Sequence, residues 1–229
     1  GGLTLRSMDD AVVDLSCRSL QALPRSLLAD PRPAALEINV AFNEIKSLDG
    51  VVEACPCLER LASAHNKIRI LPALNLLQQL CRVDLSSNQL RTVDPLQHCA
   101  ALAELWLANN QLDLAAVQPL RATLALRTLV LMKNPCERAQ PAGMYKHTAL
   151  LALPQLTSFD AQPVGRTARS DALLFLQRQQ PRAALGEAIG TRQALALLRG
   201  VAPPSEAQLG APLVAGAPGG PAARDAPGR

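Results

Sequence analysis

The chain has 229 residues, 48% of them hydrophobic but only 2% aromatic, so its core must be built from aliphatic side chains in repeated small layers. Its formal net charge of +4 is unevenly placed: residues 1–164 carry 15 basic and 15 acidic residues, and residues 165–229 carry 8 and 4. A neutral body lacks the clustered cations of a phosphate-binding surface, so direct nucleic-acid binding is not expected.

Nor does any run approach the ~18 apolar residues of a membrane span. The N-terminal residues also lack the basic-then-apolar order of a secretory signal. The reading is therefore of an intracellular, non-membrane protein whose six cysteines are free thiols.

In chain order, six similar units follow one another. The first is degenerate: Val13, Leu15, Arg18, Leu20, Leu23. The second reads Ala35, Ile38, Val40, Asn43, Ile45, Leu48, and the third Leu58, Leu61, Ser63, Asn66, Ile68, Leu71. The fourth is Leu80, Val83, Leu85, Asn88, Leu90, Val93, and the fifth Leu102, Leu105, Leu107, Asn110, Leu112. The sixth is Leu126, Leu129, Leu131, Asn134, with Cys136 next. The asparagines Asn43, Asn66, Asn88, Asn110 and Asn134 are 23, 22, 22 and 24 residues apart, and Arg18 holds the same phase one unit earlier.

The L-x-L step predicts a short strand with alternate side chains inward. Strands of successive units should stack in parallel, each coil covering the apolar face of the next. Each Asn falls where the chain turns inward, and its carboxamide is suited to backbone groups that would cost about 1–3 kcal/mol each if left unpaired. The pattern L-x-x-L-x-L-x-x-N-x-L resembles the leucine-rich-repeat family, and a unit near 22 residues is similar to its short intracellular class. The segment N-P-C…M-Y-K…L-L-A-L-P-Q-L-T-S-F-D resembles the cap that ends this class, with Pro135, Tyr145, Leu150, Leu153, Pro154, Leu156, Phe159 and Asp160 as cap residues.

The implied fold is an α/β leucine-rich-repeat solenoid. It would be a right-handed coil with a parallel concave sheet, short helices or turns on the convex side, and a C-terminal cap. The domain reading is 1–164 for the repeats, about six of them with the cap at about 134–164, then a helical extension at 165–199 and a disordered Pro/Gly/Ala-rich tail at 200–229. Within the extension, 166–180 reads as a helix with Thr167 as N-cap and Ala172, Leu173 and Leu176 on one face. Pro181 would break it before a second candidate at 182–199.

Chemistry-bearing motifs are missing: there is no Gly-rich phosphate loop, H-E-x-x-H or G-x-S-x-G, so no catalysis, metal, cofactor or small-molecule substrate is expected. Cys55-Pro56-Cys57 invites a metal or redox reading. Cys55, Leu77 and Cys99, each eleven residues before an Asn, instead read as one small buried column.

Residues between and just after the inward leucines should line the concave face. Those taken as partner-binding are Trp106, Asp84, Val130, Met132, Arg60, Arg82, Glu104, His65 and Glu37. Trp106, the only Trp, is expected to point outward as an anchor for another protein, unless the C-terminal tail covers it. Phe42 reads either as another face residue or as packing at the coil edge.

The resemblance implies a non-catalytic adaptor or targeting subunit within a larger complex. L-A-E-L-W-L-A-N-N-Q-L is similar to axonemal dynein light chain and related ciliary proteins. N-E-I-K-S-L-D-G at 43–50 is similar to the A-prime subunit of a spliceosomal small nuclear particle, and a nuclear regulator of protein phosphatase 1 is the third likeness. Location would be cytoplasmic, cytoskeletal or ciliary in the first case and nuclear in the others.

Overall fold

The computed structural model describes residues 11–29, 31, 33–139 and 144–179, with side chains as far as Phe175. Six three-residue strands recur at the repeat period: β1 (Val12–Asp14), β2 (Glu37–Asn39), β3 (Arg60–Ala62), β4 (Arg82–Asp84), β5 (Glu104–Trp106) and β6 (Thr128–Val130). They pair in parallel, in sequence order and without slippage, so Val13, Ile38, Leu61, Val83, Leu105 and Leu129 form one inward row. That row and the leucines around it make one continuous core.

Four of the five coils return on the far side through a short element, α1 (Arg25–Ala29), α2 (Val51–Ala54) or 3-10 turns at Asp94–His98 and Ala115–Ala122, and the coil between β3 and β4 returns through turns alone. A parallel pair cannot be joined by a tight hairpin, so a crossover of this kind is obligatory. No helix among the described residues is long and apolar enough to cross a membrane.

The asparagines clamp adjacent coils together. The Asn88 amide nitrogen donates to the Ser63, Leu85 and Ser86 carbonyls, and its Oδ1 accepts the Ile68 N–H at 3.0 Å. Asn66 and Asn110 repeat this pattern, accepting from Ile45 and Leu90. Asn134 does so from Leu112. Asn43 accepts two N–H groups, from Arg18 and Leu20, so the degenerate first unit is held by the second unit's asparagine. All five carboxamides are buried, as a ladder that satisfies backbone in two coils at once requires.

The residue before Arg18 and before each of the five asparagines has a left-handed backbone: Cys17, Phe42, His65, Ser87, Asn109 and Lys133 have φ between 55° and 62°. None is glycine, so each coil bears a local strain of about 1 kcal/mol or more, held in place by the clamp beside it.

After β6 come α3 (Pro135–Arg138), with Pro135 in the first turn where its missing N–H costs nothing, and α4 (Met144–Ala152). β7 (Ser158–Phe159) adds in parallel to β6, and β8 (Gln162–Pro163) turns back antiparallel to it. Leu150, Leu153, Leu156 and Phe159 are about 1% exposed and close the end of the core, with the Tyr145 ring 5.4 Å from that of Phe159. Asp160 caps the exposed strand end, its Oδ1 accepting the Leu131 and Met132 N–H groups. Burial raises the Asp160 pKa against the lowering effect of those bonds.

α5 (Ala168–Gln179) follows directly on Thr167, whose carbonyl accepts the Asp171 N–H. Its contact face differs from the expected one. Ala172 is fully buried and Phe175 stacks on His147 of α4 at 4.4 Å, whereas Leu173 is 43% exposed. Docking through Ala168, Ala172 and Phe175 follows the i, i+4, i+7 row, and Leu173 lies about 100° off it. The side chain of Leu176, the second candidate helix at 182–199 and the 200–229 tail lie outside the described residues.

Candidate protein-binding face

On the open side of the sheet, register aligns outward side chains into columns that cross the coils. One column is Glu37, Arg60, Arg82, Glu104. It pairs within itself, Arg60 to Glu37 at 2.9 Å and Arg82 to Glu104 at 2.9 Å. The two arginines are strand neighbours but reach in opposite directions, each toward the carboxylate on its own flank. Such exposed pairs contribute little stability, about 0–1 kcal/mol each. Their effect is to cancel the charge of the column.

The next column is Asp14, Asn39, Ala62, Asp84, Trp106, Val130. Trp106 does project from the open side and is half-buried. The cover comes from Arg82, whose guanidinium lies 5.6 Å from the ring centroid in a cation–π contact. Asp84, also half-buried, accepts the Ser86 N–H at 2.9 Å, and Asp14 and Asn39 make the same short turn with Ser16 and Ala41. Among the described residues Asp84 has no ion pair.

Between these columns lies an open hollow of about 260 Å³, lined by Glu37, Arg60, Leu61, Ala62, Arg82, Asp84 and Trp106. Five of the nine sequence-derived face residues therefore meet at one place, with Glu104 tied in through Arg82. His65 lies apart, exposed and stacked on Phe42 at 4.4 Å with the rings 9° from parallel.

Val130 is corrected: it is 7% exposed, not an open contact residue. It stands in register beside Trp106, and the cap strand closes the other edge of β6. Met132 is half-buried and its N–H is held by Asp160.

The Phe42–His65 stack was not anticipated as a pair. Its signal was available: both residues directly precede a register asparagine, in consecutive coils. Phe42 is 58% exposed, so the coil-edge packing considered for it amounts to this one ring contact.

Cys55, Leu77 and Cys99 do form one fully buried column. Burial pushes the Cys99 thiol up to about 11, and its sulfur donates to the Leu74 carbonyl at 3.7 Å. A thiol held protonated is a poor nucleophile and a poor ligand. Desolvation likewise pushes Cys136 up to about 12.

Known proteins with related sequences match part of the chain. A homolog of the protein phosphatase 1 regulatory inhibitor subunit PPP1R7 from Arabidopsis thaliana is 34% identical over 77 residues, 34% of this chain and 24% of the relative. Human cilia- and flagella-associated protein 410 is 37% identical over 92 residues, 40% of this chain and 36% of the relative. The matched region thus spans between a quarter and about a third of these relatives' lengths.

Among solved structures, the Drosophila melanogaster SNF/U2A' complex contains a chain that superposes with a TM-score of 0.51. That match is 22% identical and covers 65% of this chain and 84% of that one, which shows a shared fold. No family model matches the chain. The unslipped parallel register, the ladder of asparagine clamps and the closing strand β7 give this chain the fold of a leucine-rich-repeat solenoid with a C-terminal cap.

Proposed function

We propose that this chain is a non-catalytic adaptor that binds another protein through the concave face around Trp106, as part of a larger complex. The observation that carries the reading is the hollow beside Trp106. It joins a large aromatic, charged side chains and the small Ala62 on one sheet face, and a Trp and arginines are the residue types most enriched at interface anchors. At about 260 Å³ it is smaller than the roughly 300–1,000 Å³ of small-molecule sites and suits a side chain better than a metabolite.

The ciliary setting is the finer part of the proposal. It is supported by the likeness to cilia- and flagella-associated protein 410. Regulation of a protein phosphatase is the second reading, supported by the PPP1R7 homolog. A nuclear location would go with that reading, a cytoplasmic or ciliary one with the first. A spliceosomal role would rest on shared fold alone.

The test pairs stability with binding. Trp106→Ala removes area from a half-buried face without opening the core, so urea unfolding should shift by much less than the about 3–5 kcal/mol of a buried Trp. Binding to partners recovered with wild type should weaken by about thirtyfold or more, the effect of a 2 kcal/mol anchor. Recovered axonemal components would favour the ciliary reading, and a phosphatase catalytic subunit the second. Unchanged binding would remove this face from the function.

A further inference from the structure

We infer that the hollow beside Trp106 is a receptor for a basic side chain, so that the protein docked on this face inserts a lysine or arginine there. The inference rests on the concave-face reading and specifies the partner's chemistry. Four charged residues line the hollow: Glu37, Arg60, Arg82 and Asp84. Arg60 is matched by Glu37 and Arg82 by Glu104, each at 2.9 Å. Asp84 is left over, half-buried and, among the described residues, without a cation. Among the described residues its carboxylate accepts one hydrogen bond, from the Ser86 N–H, which leaves most of its acceptor capacity unused.

The geometry gives this carboxylate a way to be reached. Arg60 and Arg82 pair outward, away from each other, so the gap between them stands over Ala62 and Asp84. Ala62 occupies almost none of that gap. Trp106 adjoins Asp84 on the next strand, in register. A long basic side chain would lay its methylene stem against the part of the indole that Arg82 leaves open and bring its charged tip to the carboxylate. An acidic side chain would meet Asp84 unmatched and would have to break an existing pair to gain an arginine.

Trp106 is the only tryptophan, so fluorescence excited at the red edge of the indole band, where Tyr145 does not absorb, reports on this hollow. The probes are the blocked tripeptides Ala-Arg-Ala, Ala-Lys-Ala, Ala-Glu-Ala and Ala-norleucine-Ala, titrated to tens of millimolar at constant ionic strength. The arginyl and lysyl peptides should give a saturable change, several-fold tighter than norleucyl, and the glutamyl peptide none.

Asp84→Asn keeps an Oδ1 for the Ser86 N–H, so the turn is preserved. It should weaken the basic peptides at least fivefold and leave norleucyl unchanged. Saturable glutamyl binding, equal response to basic and norleucyl peptides, no response to any, or an Asp84→Asn titration like wild type would each overturn the inference. Glutamyl or norleucyl saturation would still leave the face a docking surface, whereas the adaptor reading itself falls only if Trp106→Ala leaves partner binding intact.

Discussion

At the scale of single residues, the buried asparagines and one misplaced hydroxyl define opposite extremes of polar burial. Asn88 makes four hydrogen bonds to backbone in its own and the preceding coil. Asn88→Ala should therefore cost about 1–3 kcal/mol for the groups it orphans, measured as a lowered urea midpoint. Ser63 stands in the inward row occupied elsewhere by Val40, Leu85, Leu107 and Leu131. It is fully buried, and its hydroxyl has no partner among the described residues. Ser63→Ala removes that hydroxyl with almost no change in volume, and should raise the midpoint by the equivalent of about 1 kcal/mol. A lowered midpoint would show that the hydroxyl is bonded in solution.

The asparagine register was legible because a short carboxamide answers both a donor and an acceptor demand at that turn and recurs there in five coils. The left-handed residue before it was not. Phe, His, Ser, Asn and Lys share no side-chain property there, and the conformation is imposed by the clamp.

Among elements, the junction of α4 and α5 is where side-chain periodicity misled and where titration should be visible. Twelve residues of helix with leucines on two sides offer two plausible contact rows, and the choice depends on what α4 presents. It presents His147, which selects Phe175 as a stacking partner and leaves Leu173 outside. Burial, aided by Lys146 and opposed by Asp171, lowers the His147 pKa below its ordinary 6.5.

The sign follows. The unfolded chain takes up this proton near 6.5, whereas the folded chain resists it. The stabilising contribution of neutral His147 is thus complete above 6.5 and is lost as the pH falls through the depressed folded value. Corrected for intrinsic exchange chemistry, amide protection of α5 should weaken from pH 7.5 to 5 while that of β4 holds. His147→Phe keeps a stacked ring without the titration and should abolish the difference. An unchanged pH response in that variant would place the titrating group elsewhere.

For the molecule as a whole, stability should be graded along the coil axis. Each coil packs on its neighbours alone, so an interior coil is held on both sides and a terminal coil on one. β4 and β5 have strands and asparagine clamps on each flank. β1 has a pairing partner on one edge among the described residues, and its Val12 is 54% exposed. Native-state hydrogen exchange should accordingly be slowest in β4 and β5 and fastest in β1.

The other end behaves differently because of the cap. Phe159 is 1% exposed, belongs to the strand that covers β6, and packs on Tyr145. Phe159→Ala should cost about 3–5 kcal/mol as a core cavity. In a linear array that loss is felt first where the cap was, so exchange in β6 should accelerate at denaturant concentrations that still leave β3 and β4 protected. A uniform acceleration from β2 to β6 would mean that the coils open as one cooperative unit. Trp106 would then be held by the entire solenoid, with no share of its rigidity coming specifically from the cap beside it.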